Sequence, residues 1–169
     1  IGAVIGHEVS HHFDDQGSKY NERGALEEWW TPADVKRFEA LTQELVEQYA
    51  QYEPLPGKHV NGELTLGENI GDLAGVTIAY DAYRASLNGE EPPVIDGLTG
   101  DQRFYLGWAQ IWRRNYREEN LLQRLITDPH APSKARVSVV RNFDRWYDAY
   151  DVSADDTLYL PPEERVRIW

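Results

Sequence analysis

The sequence predicts a mainly α chain, in which helices are joined by turn-rich loops with short β-segments. Apolar residues return at spacings of three and four over several long stretches, the period of a helix face. Thr31-Pro32 gives an explicit helix start, an N-cap residue followed by proline at the first helical position. Gly and Pro gather between the periodic stretches, where they stop helices and set turns.

Taken in order, residues 1–13 form the first helix. Residues 1–6 are almost wholly apolar, which predicts that this helix is buried. Asp14 to Trp30 carries Gly17, Asn21 and Gly24 and predicts turns with a short hairpin. The helix begun at Thr31 has Asp34 in its first turn and Val35, Phe38, Leu41, Leu45, Tyr49 and Tyr52 on one face. Pro54-Leu55-Pro56-Gly57 ends it, and His59 falls in a surface loop beyond. A second long helix spans about Thr65 to Leu87, followed by a Gly- and Pro-rich loop to Gly100. Further helices are expected over 101–116, 118–127 and 143–150. The bracketing prolines of Asp128-Pro129-His130-Ala131-Pro132 predict a turn. Arg136-Val137-Ser138-Val139-Val140 has the β-branching of a strand. Pro161 to Arg165 is a turn or short helix.

Composition bounds the function. The chain has 169 residues, 41% hydrophobic and 12% aromatic, enough for one domain with a core. Its net charge of −12, without a cluster of basic residues to rival it, argues against nucleic acid as a partner. No run of 18 apolar residues predicts a membrane span. Cysteine is absent, so disulfides and thiolate metal ligands are excluded. The chain begins at Ile1 and contains no Met, which predicts a piece of a longer protein.

The chemistry starts in the first helix, at His7-Glu8-Val9-Ser10-His11. Residues four apart share a helix face, so two imidazoles can aim at one point. That arrangement suits Zn²⁺, bound by imidazole nitrogen at about 2.0–2.1 Å. Glu8, about 100° round the helix, flanks the ion and suits a general base acting on water at the metal. The alternative is a surface helix whose histidines fall four apart by chance. The extended motif with Gly and His three and six residues further on fails, because Asp14 and Gly17 stand there. The candidate third ligand lies in Gly67-Glu68-Asn69-Ile70-Gly71-Asp72, where Glu68 and Asp72 are four apart amid apolar residues. One carboxylate can ligate, and the other can accept a hydrogen bond from a ligand histidine. Asp14, three residues after His11, can do the same for the second histidine. His12 points off the ligand face.

His-Glu-Val-Ser-His-His-Phe-Asp-Asp-Gln-Gly at 7–17, paired with Gly-Glu-Asn-Ile-Gly-Asp at 67–72, resembles the neprilysin family of zinc endopeptidases. Trp29-Trp30-Thr31, Asn61-Gly62, Ala109-Gln110-Ile111-Trp112, Asp128-Pro129-His130-Ala131-Pro132, Arg136 and Val166-Arg167-Ile168-Trp169 extend the likeness over the whole chain. The resemblance implies a thermolysin-like, gluzincin catalytic core cleaving oligopeptides. It implies one Zn²⁺ per chain on His7, His11 and Glu68, with Glu8 as base and Asp14 and Asp72 behind the ligands. On residue chemistry alone, His130 and Arg136 are a capping histidine and a salt-bridged arginine. The resemblance gives His130 the oxyanion-stabilising role and Arg136 a substrate-binding one. It also matches Val4, Ile111 and Trp112, with the small Ala3, to a hydrophobic pocket for the residue after the cleaved bond. Core packing is the other account of those four. Expected partners are peptide substrates and the upstream part of the same protein, whose edge strand would align a peptide. Two function classes follow: a zinc endopeptidase catalytic domain spanning 1–169, or a zinc-binding piece without turnover of its own.

Overall fold

The computed structural model describes residues 1–168, so Trp169 of the terminal motif lies outside the described residues. Among the described residues, seven α-helices carry the fold: α1 (Gly2–Ser10), α2 (Pro32–Ala50), α3 (Leu66–Ser86), α4 (Gly100–Ile111), α5 (Glu118–Thr127), α6 (Ser133–Val137) and α7 (Asp144–Tyr150). The expected β-segments reduce, among the described residues, to three isolated antiparallel bridges, one of them Tyr20 with Leu26.

Local chemistry explains the boundaries. Thr31 caps α2, its side chain accepting from the Asp34 amide at 3.2 Å. Thr99 and Gln102 form a reciprocal capping box at the start of α4. That helix ends at Ile111, about a turn before the expected Tyr116. Residues 136–140 are not a strand. They end α6 and continue as a 3₁₀ turn over Ser138–Asn142, because Val139 and Val140 are buried in the helical core. Tertiary burial overrides the β preference of isolated valines.

Helix α3 is the axis of the molecule. From Asn69 to Val76 it is buried without a break. Ile70, Leu73, Val76 and Tyr80 join Phe38, Leu45 and Tyr49 of α2, Tyr105 and Trp108 of α4, and Val139, Trp146 and Tyr147 beyond. Burial of that many large side chains, each stabilising by about 1.5–3 kcal/mol, places α3 rigidly.

Helix α1 lies against α3 at backbone contact. A Cβ on Gly75 would stand 2.3 Å from the Ala3 carbonyl oxygen and 2.7 Å from the His7 amide nitrogen. Gly75→Ala should therefore push α1 away from α3, at a cost of about 1–3 kcal/mol for overpacking. A thermal melt checks this, and an unchanged Tm would contradict so close a crossing.

The expectation that α1 is buried is corrected. Gly6, His7 and Ser10 are buried against α3, but Ile5 and Val9 are 59% and 60% exposed, and Val4 and Phe13 are also open. The large apolar residues of α1 are thus left open at the surface.

Candidate metal centre

The crossing of α1 and α3 brings His7, His11 and Glu68 together. Each offers one ligand atom, and these atoms lie within 4.8 Å of one another. Glu68 Oε2 is 3.2 Å from His7 Nε2, and Glu68 Oε1 is 3.5 Å from His11 Nε2. A tetrahedral ion with bonds of about 2.0–2.1 Å separates its ligand atoms by roughly 3.3 Å. His7 lies in the last turn of α1, and His11 opens the 3₁₀ turn that follows the helix. Their rings meet edge to face, with centroids 4.7 Å apart.

Both imidazoles are oriented by carboxylates on the far nitrogen. His7 Nδ1 is 3.0 Å from Asp72 Oδ1, and His11 Nδ1 is 2.8 Å from Asp14 Oδ2. This leaves each Nε2 turned to Glu68. The two oxygens of Asp14 divide their work. Oδ2 meets His11, while Oδ1 accepts from the Gln16 and Gly17 amides at 2.8 and 2.7 Å and fixes the turn after the helix. Asp72 is 1% exposed and serves two cations, since Arg136 Nε and Nη2 both donate to it at 2.7 Å. Gly71 makes room for this arrangement, because a Cβ there would stand 2.7 Å from the His7 ring.

The electrostatics suit a cation. Burial alone would lower the pKa of His7, but Asp72 and Glu68 outweigh it and lift the imidazole to about 9. Burial would raise Glu68, and His7, His130 and Arg136 together hold its carboxyl below the ordinary value. Glu68 Oε2 is buried, and its near neighbours are the Nε2 atoms of His7 at 3.2 Å and His130 at 3.1 Å. A carboxylate whose two oxygens face the Nε2 atoms of His7 and His11 gives a donor set suited to Zn²⁺. A proton held on His7 by these carboxylates would be released on metal binding.

A cavity of about 300 Å³ opens over these groups. Glu8 lines it, exposed, beside His7 and His11. His130 stands on its rim, 48% exposed, with Nε2 3.1 Å from Glu68 Oε2. Asp128 holds His130 twice, accepting from its amide at 3.0 Å and facing its Nδ1 at 2.8 Å. Arg136 also reaches the cavity, with Nη2 3.5 Å from Glu68 Oε2. Its guanidinium stacks on Trp112 at 4.3 Å. Burial disfavours its charge, and Asp72 more than compensates. Val4, Ile111 and Trp112 line one wall; Ala3 does not, and packs against the core instead.

Two contributors were missed in the sequence. Asp128 was noted only as part of the Pro-flanked motif, although an Asp two residues before a histidine is a local signal for such a contact. Trp108 lines the cavity as well, one helical turn before Trp112. His12 and His59 lie outside the cavity, and His59 Nδ1 faces the Ala50 carbonyl at 3.1 Å.

Residues 1–166 match the family described as Peptidase family M13. Neprilysin-11 of Caenorhabditis elegans is 38% identical over 175 residues, covering all of this chain and 20% of that protein. Endothelin-converting enzyme 1 of Homo sapiens is 47% identical over 141 residues, 81% of this chain and 18% of the enzyme. Among solved structures, the Mycobacterium tuberculosis zinc metalloprotease Zmp1 in complex with an inhibitor aligns with a TM-score of 0.96 at 55% identity, over 99% of this chain and 26% of that one. PepO of Lactobacillus rhamnosis HN001 gives 0.86 at 40% identity, over 99% and 25%. The chain thus spans about a fifth to a quarter of the length of these relatives.

Proposed function

Since the chain belongs to peptidase family M13, we propose that it is the metal-holding part of a zinc endopeptidase catalytic domain, hydrolysing internal bonds of oligopeptides. The observation that carries this is the pair of imidazoles whose Nδ1 atoms are engaged by Asp72 and Asp14 while both Nε2 atoms face Glu68. His7, His11 and Glu68 would hold one Zn²⁺. When bound, Zn²⁺ supplies Lewis acidity, which makes water more acidic and polarises a carbonyl.

The remaining work belongs to the side chains. Glu8 takes the proton of the attacking water and passes it to the leaving amine. His130, oriented by Asp128, donates to the substrate oxygen as negative charge develops there. Arg136 is fixed on Asp72 through Nε and Nη2, which leaves Nη1 to donate to a substrate carbonyl. Asp72 thereby ties a metal-ligating histidine and a substrate arginine into one rigid unit. Val4, Ile111, Trp112 and Trp108 form an apolar wall for the residue after the cleaved bond, which favours cleavage on the amino side of hydrophobic residues.

The open apolar side of α1 supports a further element of this reading. Val9 and Phe13 form, with Ile78 of α3, an apolar hollow beside Ser10, and Ile5 is exposed on the same helix as Val9. In relatives four to five times longer, further polypeptide of the same protein is available to cover it. On this reading, residues 1–169 bind zinc by themselves, and efficient turnover requires the upstream part.

The test is hydrolysis of an internally quenched peptide by the protein of which this chain is part. Chelation should abolish cleavage, and stoichiometric Zn²⁺ should restore it. Cleavage that persists after complete zinc removal would contradict the proposal.

A further inference from the structure

Helix α4 ends at Ile111, and beyond its cap residue Trp112 the chain runs without regular structure to α5. The loop reads Arg113-Arg114-Asn115-Tyr116-Arg117 and holds three of the seventeen Lys and Arg side chains. All three arginines are exposed, and among the described residues none pairs with a carboxylate. Five other arginines, Arg84, Arg124, Arg145, Arg165 and Arg167, each hold an Asp or Glu, and Arg103 and Arg141 are spent on backbone carbonyls. With a net charge of −12, carboxylates are not scarce in this chain. Glu118 and Glu119 follow directly, but they occupy the first turn of α5, where acidic residues complement the helix N-terminus.

The loop is held in place. The Tyr116 hydroxyl is 2.9 Å from Ser133 Oγ and accepts from the Ser133 amide at 3.2 Å. The Arg114 guanidinium covers the Tyr116 ring at 4.7 Å. These contacts fasten the loop to the segment that follows His130. Lys134, the residue after Ser133, is a fourth exposed cation without a carboxylate partner among the described residues.

We propose that Arg113, Arg114 and Arg117, with Lys134, form a cationic rim that selects peptides carrying a carboxylate shortly after the cleaved bond. This rests on the peptidase reading above. A residue seated against Val4, Ile111 and Trp112 is followed by extended peptide that advances about 3.3 Å per residue. The next two or three positions therefore pass within reach of side chains that start one residue beyond Trp112. Guanidinium groups without a carboxylate partner present planar forks suited to carboxylates, and they steer acidic peptides toward a molecule that otherwise repels them.

The experiment compares two internally quenched peptides of one sequence, with Glu or Gln at the second and third positions after the cleaved bond. Both are assayed with the zinc-loaded protein of which this chain is part. The Glu peptide should show a kcat/KM about five- to tenfold higher at low ionic strength, the sum of several exposed ion pairs. The preference should shrink toward one at about 0.5 M salt. It should vanish in the triple variant R113Q/R114Q/R117Q and largely survive in R113K/R114K/R117K. Because each ratio is taken on one sample, differences in folded or zinc-loaded fraction cancel. Equal kcat/KM for the two peptides, or a preference that survives the Gln variant, overturns the rim while the peptidase reading stands. Failure of the parent protein to cleave either peptide overturns the peptidase reading and the rim with it.

Discussion

Glu8→Gln is expected to keep its zinc and lose turnover. Glu8 lines the cavity beside both histidines but takes no part in the network of Asp72, Asp14, His7, His11 and Glu68 that defines the donor set. The amide is nearly isosteric, so the metal should stay. What is lost is a carboxylate able to accept a proton from the attacking water. General-base catalysis contributes on the order of 10²–10⁴ in rate, and kcat should fall by that factor with zinc content unchanged. Peptide cleavage at a near-normal rate by the variant would remove Glu8 from the mechanism.

The second large effect is expected at His130. Its Nε2 points toward Glu68 from the rim, and Asp128 fixes the ring through Nδ1. A donor held this way acts on charge that develops as the reaction proceeds, more than on the ground-state carbonyl. His130→Ala should lower kcat by roughly 10²–10³, by analogy with loss of one oxyanion donor, and move KM much less. Steady-state kinetics on one peptide separates the cases. A rise in KM with kcat intact would make His130 a binding residue instead.

Much of the fold was legible because its signals are local. Thr31-Pro32 fixes the start of α2 through one hydroxyl and one constrained φ, and Glu118–Thr127 matches the apolar period without error. Residues 136–140 were misread because β-branching is a weak preference, reversed here by the burial of Val139 and Val140. The exposure of Ile5 and Val9 was misread because apolar residues predict burial only when something is available to pack on them. At the site, the spacings of four between His7 and His11 and between Glu68 and Asp72 carried the most information, since each pair lies one turn apart on a helix or its 3₁₀ continuation. That the two pairs meet is a tertiary fact, set by the glycines that let α1 approach α3. Asp128 and Trp108 escaped notice because neither role follows from spacing. One depends on a turn that folds an Asp back onto its neighbour, the other on which face of α4 meets the cavity. Arg136, expected to bind substrate, also gives two of its donors to Asp72, a contact 64 residues away in sequence that no local signal reveals.

The central claim is that His7, His11 and Glu68 hold one zinc ion. Its most direct test is the zinc content of protein purified without chelator, measured for the parent sequence and for Glu68→Ala. Glu68→Ala removes one of three ligands and leaves the Asp72 and Asp14 contacts to both histidines untouched. The account predicts about one zinc per chain in the parent and a large loss in the variant under the same dialysis. A parent chain without zinc, or a variant that retains it fully, would contradict the assignment.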